Sequence, residues 1–272
     1  MTYRAPTDFP SGMTWWDPIF SMRKEVAVVI PIYKPQMTAH EEISLNQCLK
    51  VLGRYPLVFV SPDDLDLSGY LARASHADVR AFASIHFQSL DAYDRLLLSK
   101  PFYDRFRDYR YILIHQLDAF VFSDQLEDWC ARGFDYVGAP WIDLPIMDKI
   151  ASEAGRLRRV FPRWTNRLNR SVGNGGFSLR KIGSFRMWLS LLAKKASGWK
   201  YYEDTFWAFY VTSFYPFFRV PKFNAALEFS FEVNPAKCYD LNNHQLPFGC
   251  HAWEKHDPAF WRPFFQELGY TI

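Results

Sequence analysis

Residues 26 to 30, Val-Ala-Val-Val-Ile, form an unbroken apolar run ended by Pro31, and no feature constrains the fold of this chain more. Five such residues are too few for a buried helix, while a run without polar alternation suits a strand covered on both faces. Tyr111-Ile112-Leu113-Ile114 repeats the pattern, Leu57-Val58-Phe59-Val60 supplies a second strand broken by Ser61-Pro62, and 79–83 suits a short third. A helix is expected between the first two strands. Thr38 and Glu41 have capping-box spacing, and Ile43, Leu45, Cys48, Leu49 and Leu52 make an apolar stripe stopped by Gly53. Residues 89–107 read as mostly helical. Strands alternating with helices predict an α/β fold with a mostly parallel central sheet flanked by helices. The opening is Rossmann-like, but no GxGxxG follows the first strand, so no dinucleotide fingerprint is present.

The second half is less regular. Residues 134–142 suggest a strand leaving the sheet, and 181–197 suggests a helix ended by Gly198. No linker or repeat divides the chain, which predicts an N-terminal arm over 1–24 and one domain over 25–272. Lys plus Arg number 32 against 29 Asp plus Glu, so no global positive field favours nucleic acid. Cys48, Cys130, Cys238 and Cys250 lie far apart, which argues against a disulfide framework or zinc knuckle and for a reducing compartment. The first residues lack a basic-then-apolar leader, and no run approaches the roughly 18 apolar residues of a membrane span. A cytoplasmic location is expected. Aromatic residues make up 18% of the chain, enough for a core of large side chains, for platforms that hold flat ligands, or for both.

Five segments carry residues capable of chemistry, and each also has a purely structural reading. Gln116 and Asp118 follow a buried strand, where α/β sheets collect ligands, and an oxygen ligand there suits a divalent cation against a diphosphate. Asp118 equally suits a turn cap. Gly173-Asn174-Gly175-Gly176 allows close backbone approach to a ligand, or a plain turn. Glu203-Asp204 opens a helix, where a carboxylate serves as a cap or as a general base. There the helix dipole lowers a carboxylate pKa and burial raises it. His251 suits a metal ligand, a phosphate contact or an ordinary core position. Arg156, Arg158, Arg159, Arg163, Arg167 and Arg170 form a solvated face or a lid for anions.

The order of these motifs resembles the GT-A glycosyltransferases that use nucleotide sugars. More narrowly, Tyr111 to Phe122, Tyr136 to Trp141, Gly173 to Arg180, Tyr202 to Trp207 and Pro247 to Trp253 resemble a bacterial family catalogued as a domain of unknown function. The resemblance spans about 26–255. It implies a GT-A-like Rossmannoid fold and transfer of a sugar from a nucleoside-diphosphate sugar to a glycan or lipid-linked glycan hydroxyl, in bacterial surface polysaccharide synthesis. Pro31 and Tyr33 would lie near the base. Asp118 matches the last acid of the family's Asp-x-Asp motif, with Gln116 standing in the first acid's place. Asn174, Gly175 and Gly176 would line the donor or acceptor pocket. Asp204 matches the base of inverting members, with Glu203 as the alternative. Asp118 and His251 would hold a divalent cation, Mn²⁺ or Mg²⁺. A non-catalytic carbohydrate or sugar-nucleotide binder and a sugar-nucleotidyltransferase are the competing readings. Peripheral membrane contact is left open by the arginine cluster and by Trp15 and Trp16.

Overall fold

The computed structural model describes residues 24–142 and 172–272. Of the arm expected over 1–24, residues 1–23 with Trp15 and Trp16 lie outside the described residues, as do the arginines from Arg156 to Arg170, and Lys24 already belongs to the first strand. Strand β1 (Lys24–Pro31) buries every residue from Val26 onward, as its unbroken apolar run requires. Helix α1 (Ala39–Leu52) starts at a complete capping box: Thr38 Oγ1 accepts the Glu41 N–H at 3.2 Å and Glu41 Oε2 accepts the Thr38 N–H at 2.7 Å. Strands β2 (Leu57–Pro62) and β3 (Asp78–Phe82) follow. The helical stretch expected over 89–107 is two helices, α2 (Leu90–Leu97) and α3 (Lys100–Asp104). Pro101 cannot donate to the preceding turn, and Ser99 restarts the helix as an N-cap.

Strands β4 (Tyr109–His115), β5 (Ala119–Val121), β6 (Tyr136–Val137) and β7 (Phe177–Lys181) come next. The central sheet has the order β3-β2-β1-β4-β7-β6. The first four strands run parallel, and β7 is antiparallel to both β4 and β6. The strand expected to leave the sheet at 134–142 instead forms its edge, with Tyr136 opposite Arg180. Gly138 permits this closure, because a Cβ there would lie 1.8 Å from the Gly173 carbonyl oxygen. Helices α4 (Ile182–Leu191) and α5 (Ala193–Ser197) replace the single helix expected over 181–197. A short helix α6 (Glu203–Thr205) runs into a π-helical turn over Phe206–Val211. After α7 (Phe223–Phe229), β8 (Ser230–Phe231) and β9 (Gly249–His251) join β5 in a second sheet of order β5-β9-β8, and α8 (Pro258–Glu267) packs on it.

Alternation along β1 divides the core. Val26, Val28 and Ile30 face α1, whereas Ala27 and Val29 face α2, α3 and α4. Most aromatic rings fill these layers: Trp129, Trp207, Trp253 and Trp261 are fully buried. All four cysteines are buried and free. The sheet layout also decides where a ligand can bind. From β1 the chain moves outward through β2 and β3, then returns to place β4 on the other side of β1, so a crevice opens at the carboxyl ends of β1 and β4. Among the described residues, no helix is long and apolar enough to cross a membrane.

Candidate functional site

Three strand pairings bring the sequence motifs to that crevice. Val29 lies opposite Ile114, so Pro31 and Tyr33 leave β1 beside Gln116 and Asp118 leaving β4. His115 lies opposite Phe177 in the antiparallel β4–β7 pair, which sets the glycine motif against the end of β4. The Gln116 N–H then donates to the Gly176 carbonyl at 2.8 Å. Ala119 lies opposite His251, so the imidazole stands beside Asp118 although the two residues are remote in sequence. Pro31, Tyr33, Gln116 and Asp118 all line one cleft of about 580 Å³, walled also by Phe87, Tyr93 and Lys255. Tyr33 is 61% exposed at its mouth.

On one side of the cleft, polar atoms converge on His251. Its Nε2 lies 3.1 Å from Asp118 Oδ1 and 3.1 Å from Gln116 Oε1, and its Nδ1 lies 2.9 Å from Glu232 Oε1. Lys255 Nζ donates to the other Asp118 oxygen at 2.7 Å. Burial opposes charge on His251, but Asp118 and Glu232 outweigh it and hold the imidazole at about 10. Burial would likewise raise Asp118, yet His251 and Lys255 hold its carboxyl well below the usual range. Gly176 makes the arrangement possible: a Cβ there would lie 2.0 Å from His251 Nε2 and 2.6 Å from Gln116 Oε1.

An amide oxygen, a carboxylate oxygen and an imidazole nitrogen are an acceptable donor set for a cation such as Mn²⁺, and they already meet at one point. In that state His251 would give up its Nε2 proton. Among the described residues no three His, Cys, Asp or Glu side chains form a group that could hold a metal ion.

The carboxylates lie beyond the glycine motif, joined to it through Asn174 and Arg180. Asn174 adopts φ +79°, a left-handed conformation that Asn tolerates better than most residues. Its Oδ1 accepts the Gly176 N–H at 2.9 Å, while the Tyr136 hydroxyl donates to its carbonyl at 3.0 Å. The Asn174 N–H donates to Asp204 Oδ2 at 3.1 Å. Asp204 Oδ1 and Asn174 Nδ2 are both enclosed and have no partner among the described residues. Burial, then Glu203 and Glu232, raise Asp204 to about 7 against the backbone N–H groups of Asn174 and Thr205, which lower it. Its neighbour Glu203 turns inward and receives two hydrogen bonds from Arg180, at 2.8 and 3.1 Å. A third carboxylate, Asp94 on α2, is raised to about 8 by burial and by Glu203 and Asp204.

Among the described residues, Pro31, Tyr33, Gln116, Asp118, Asn174, Gly175, Gly176, Glu203, Asp204 and His251 thus lie in one contiguous group. Sequence reasoning missed Lys255, Glu232, Asp94 and the inward role of Arg180. Lys255 lies four residues after His251, a spacing that hints at a shared site; Glu232 and Asp94 carry no such signal.

The chain belongs to the family described as protein of unknown function DUF5672. The match covers residues 76–251 and so includes β4, the glycine motif, Glu203-Asp204 and His251. No curated protein matches by sequence. Among solved structures, the bifunctional glycosyltransferase WbbM superposes with a TM-score of 0.53 at 15% identity over 91% of this chain. The chain spans 50% of the WbbM chain. The galactosyltransferase LgtC, solved with donor and acceptor sugar analogs, superposes with a TM-score of 0.50 at 14% identity, covering 89% of this chain and 94% of LgtC. These likenesses show a GT-A glycosyltransferase fold in this DUF5672 member.

Proposed function

We propose that this protein transfers a sugar from a nucleoside-diphosphate sugar to a hydroxyl of a glycan or glycoconjugate, with inversion at the anomeric carbon. On this reading 25–272 forms one GT-A-like domain, and the acceptor belongs to bacterial surface polysaccharide synthesis. The observation that carries the proposal is the pairing of two unlike sites in one crevice. An ion-pair cluster of Asp118, Glu232, His251 and Lys255 lies across the glycine motif from a carboxylate held at about 7 with one unpartnered oxygen.

The cleft accommodates the nucleotide between Tyr33 and the β4 end. Mn²⁺ or Mg²⁺ bound by Gln116, Asp118 and His251 would offset the charge gathering on the diphosphate as it departs. Asp204 Oδ1 accepts the proton of the incoming hydroxyl, whose oxygen attacks the face opposite the nucleotide. Asn174 Nδ2 is placed to hold a sugar hydroxyl, since it is the free donor beside that free acceptor. Glu203 is committed to Arg180 and keeps α6 in place, which leaves Asp204 as the base.

Gln116, an amide where the resemblance expects an acid, favours a second reading: a sugar-nucleotide binder without turnover. Thermal-shift and calorimetric screening of nucleoside diphosphates and their sugar conjugates, with and without Mn²⁺ or Mg²⁺, tests both. A donor that raises the melting temperature, binds more weakly to Asp118→Ala and releases nucleoside diphosphate with acceptor supports the transferase. Retention without release supports the binder. A product with the donor's own anomeric configuration would overturn inversion.

A further inference from the structure

Residues 181–227 contain Lys181, Arg186, Lys194, Lys195, Lys200, Arg219 and Lys222 but only two acids, Glu203 and Asp204. Both acids turn away from solvent, one toward Arg180 and one toward Asn174. The exposed charges that this segment itself contributes are therefore all basic, although the whole chain carries only +3. Lys181 and Arg186 are neutralised by Asp135 and Asp104. Lys194, Lys195, Lys200 and Lys222 are exposed and form no ion pair among the described residues.

Large apolar side chains stand among these lysines. Met187 and Leu191 are 49% and 67% exposed, and their spacing puts them on one face of α4. Phe217 is 85% exposed. Trp188 on α4 packs against Tyr215 with ring centroids 4.5 Å apart, which ties the loop bearing Phe217 to the helix bearing Leu191. Single exposed apolar residues are ordinary. Exposed aromatic and aliphatic tips on a segment that also exposes four unpaired lysines match a bilayer interface: the tips enter the headgroup layer and the lysines meet anionic lipid.

We propose that the face formed by α4, α5 and the Tyr215–Phe217 loop docks on the surface of an anionic lipid bilayer. An acidic protein would satisfy the lysines but gives no reason for the exposed tips.

Co-sedimentation of the full chain with phosphatidylcholine vesicles, plain or containing phosphatidylglycerol, tests the proposal without any sugar substrate. The wild type is expected to partition onto phosphatidylglycerol vesicles at least about tenfold better than onto plain ones, and less so as salt is added. Since each lysine near an anionic surface is worth roughly fivefold, K194E/K195E is expected to lose tenfold or more. Leu191→Ser with Phe217→Ser is expected to weaken binding at low and high salt alike. All four positions are exposed, and unchanged thermal unfolding of the variants checks that their folds are intact. Equal binding to both vesicle types, wild-type partitioning by either variant, or no binding would overturn the proposal. Concentration-dependent dimerisation lost in the serine variant, without vesicle binding, would assign the face to a second copy instead.

Discussion

Arg180 and Glu203 meet through two hydrogen bonds, 2.8 and 3.1 Å long, in a site where neither side chain is more than 2% exposed. Arg180 also receives support from Tyr103 and Ser178, so its donors are nearly all used. Burial works against both charges, and the pair persists because each supplies what the other lost on leaving water. The pair fixes the start of α6 against β7, and through α6 it fixes Asp204 against Asn174.

Breaking this pair should therefore cost stability before it costs anything else. Glu203→Ala leaves a buried guanidinium uncompensated and is expected to lower unfolding free energy by about 3–5 kcal/mol. Urea denaturation at neutral pH measures this. Asp204→Asn, which removes no ion pair, should cost less than about 1 kcal/mol in the same experiment.

Catalysis should show the reverse order. Asp204→Asn removes the proton acceptor and is expected to lower kcat about 10²- to 10⁴-fold with the fold intact. Near-wild-type turnover by that variant would remove Asp204 from the chemistry. In the wild type, kcat/KM should rise as pH increases through about 7, where Asp204 ionises.

The same raised carboxylates make stability fall with rising pH. An unfolded Asp ionises near 3.8, whereas the folded protein holds Asp204 protonated to about 7 and Asp94 to about 8. Between those limits the native state binds more protons than the unfolded chain, so their contribution is full below about pH 4 and is lost as pH passes through 7 and 8. Because the carboxylates interact, the steps belong to the cluster rather than to either residue. Melting temperatures from pH 5 to 9 should decline less steeply in Asp94→Asn than in the wild type.

Gly176 is a steric test of the cation site. Gly176→Ala drives a methyl into the space of His251 Nε2 and Gln116 Oε1. Mn²⁺ affinity measured calorimetrically is expected to fall at least about tenfold, the size of a lost or misplaced ligand contact. A cation bound elsewhere would leave that affinity unchanged.

Gln116→Asp tests the amide from the other direction. A second carboxylate beside Asp118 adds charge that a hard cation prefers, so Mn²⁺ should bind about tenfold more tightly or better. Unchanged affinity would show that Gln116 lies outside the coordination shell.

Much of this protein is legible along the chain because local physics decides it. The unbroken apolar run of Val26 to Ile30 could only be a doubly covered strand, and Thr38 with Glu41 marked the start of α1 to the residue. Pro101 is equally visible, but residues on both sides of it favour helix, so the sequence alone predicts one helix where the structure has two. The order of Gln116-x-Asp118, the glycine motif, Glu203-Asp204 and His251 identified a common site without showing how its members meet. Pairing across strands decided that. Register sets Ala119 against His251 and His115 against Phe177, contacts between residues more than 60 apart that no local pattern encodes. The division of labour between adjacent Glu203 and Asp204 also came from tertiary structure alone. Both carboxylates are equal in sequence, and only the buried Arg180 makes one a structural anion and leaves the other with an enclosed oxygen that has no partner among the described residues. A sequence determines which groups are available and which backbone they favour. Burial and charge partners, which determine what those groups do, exist only once distant segments have packed.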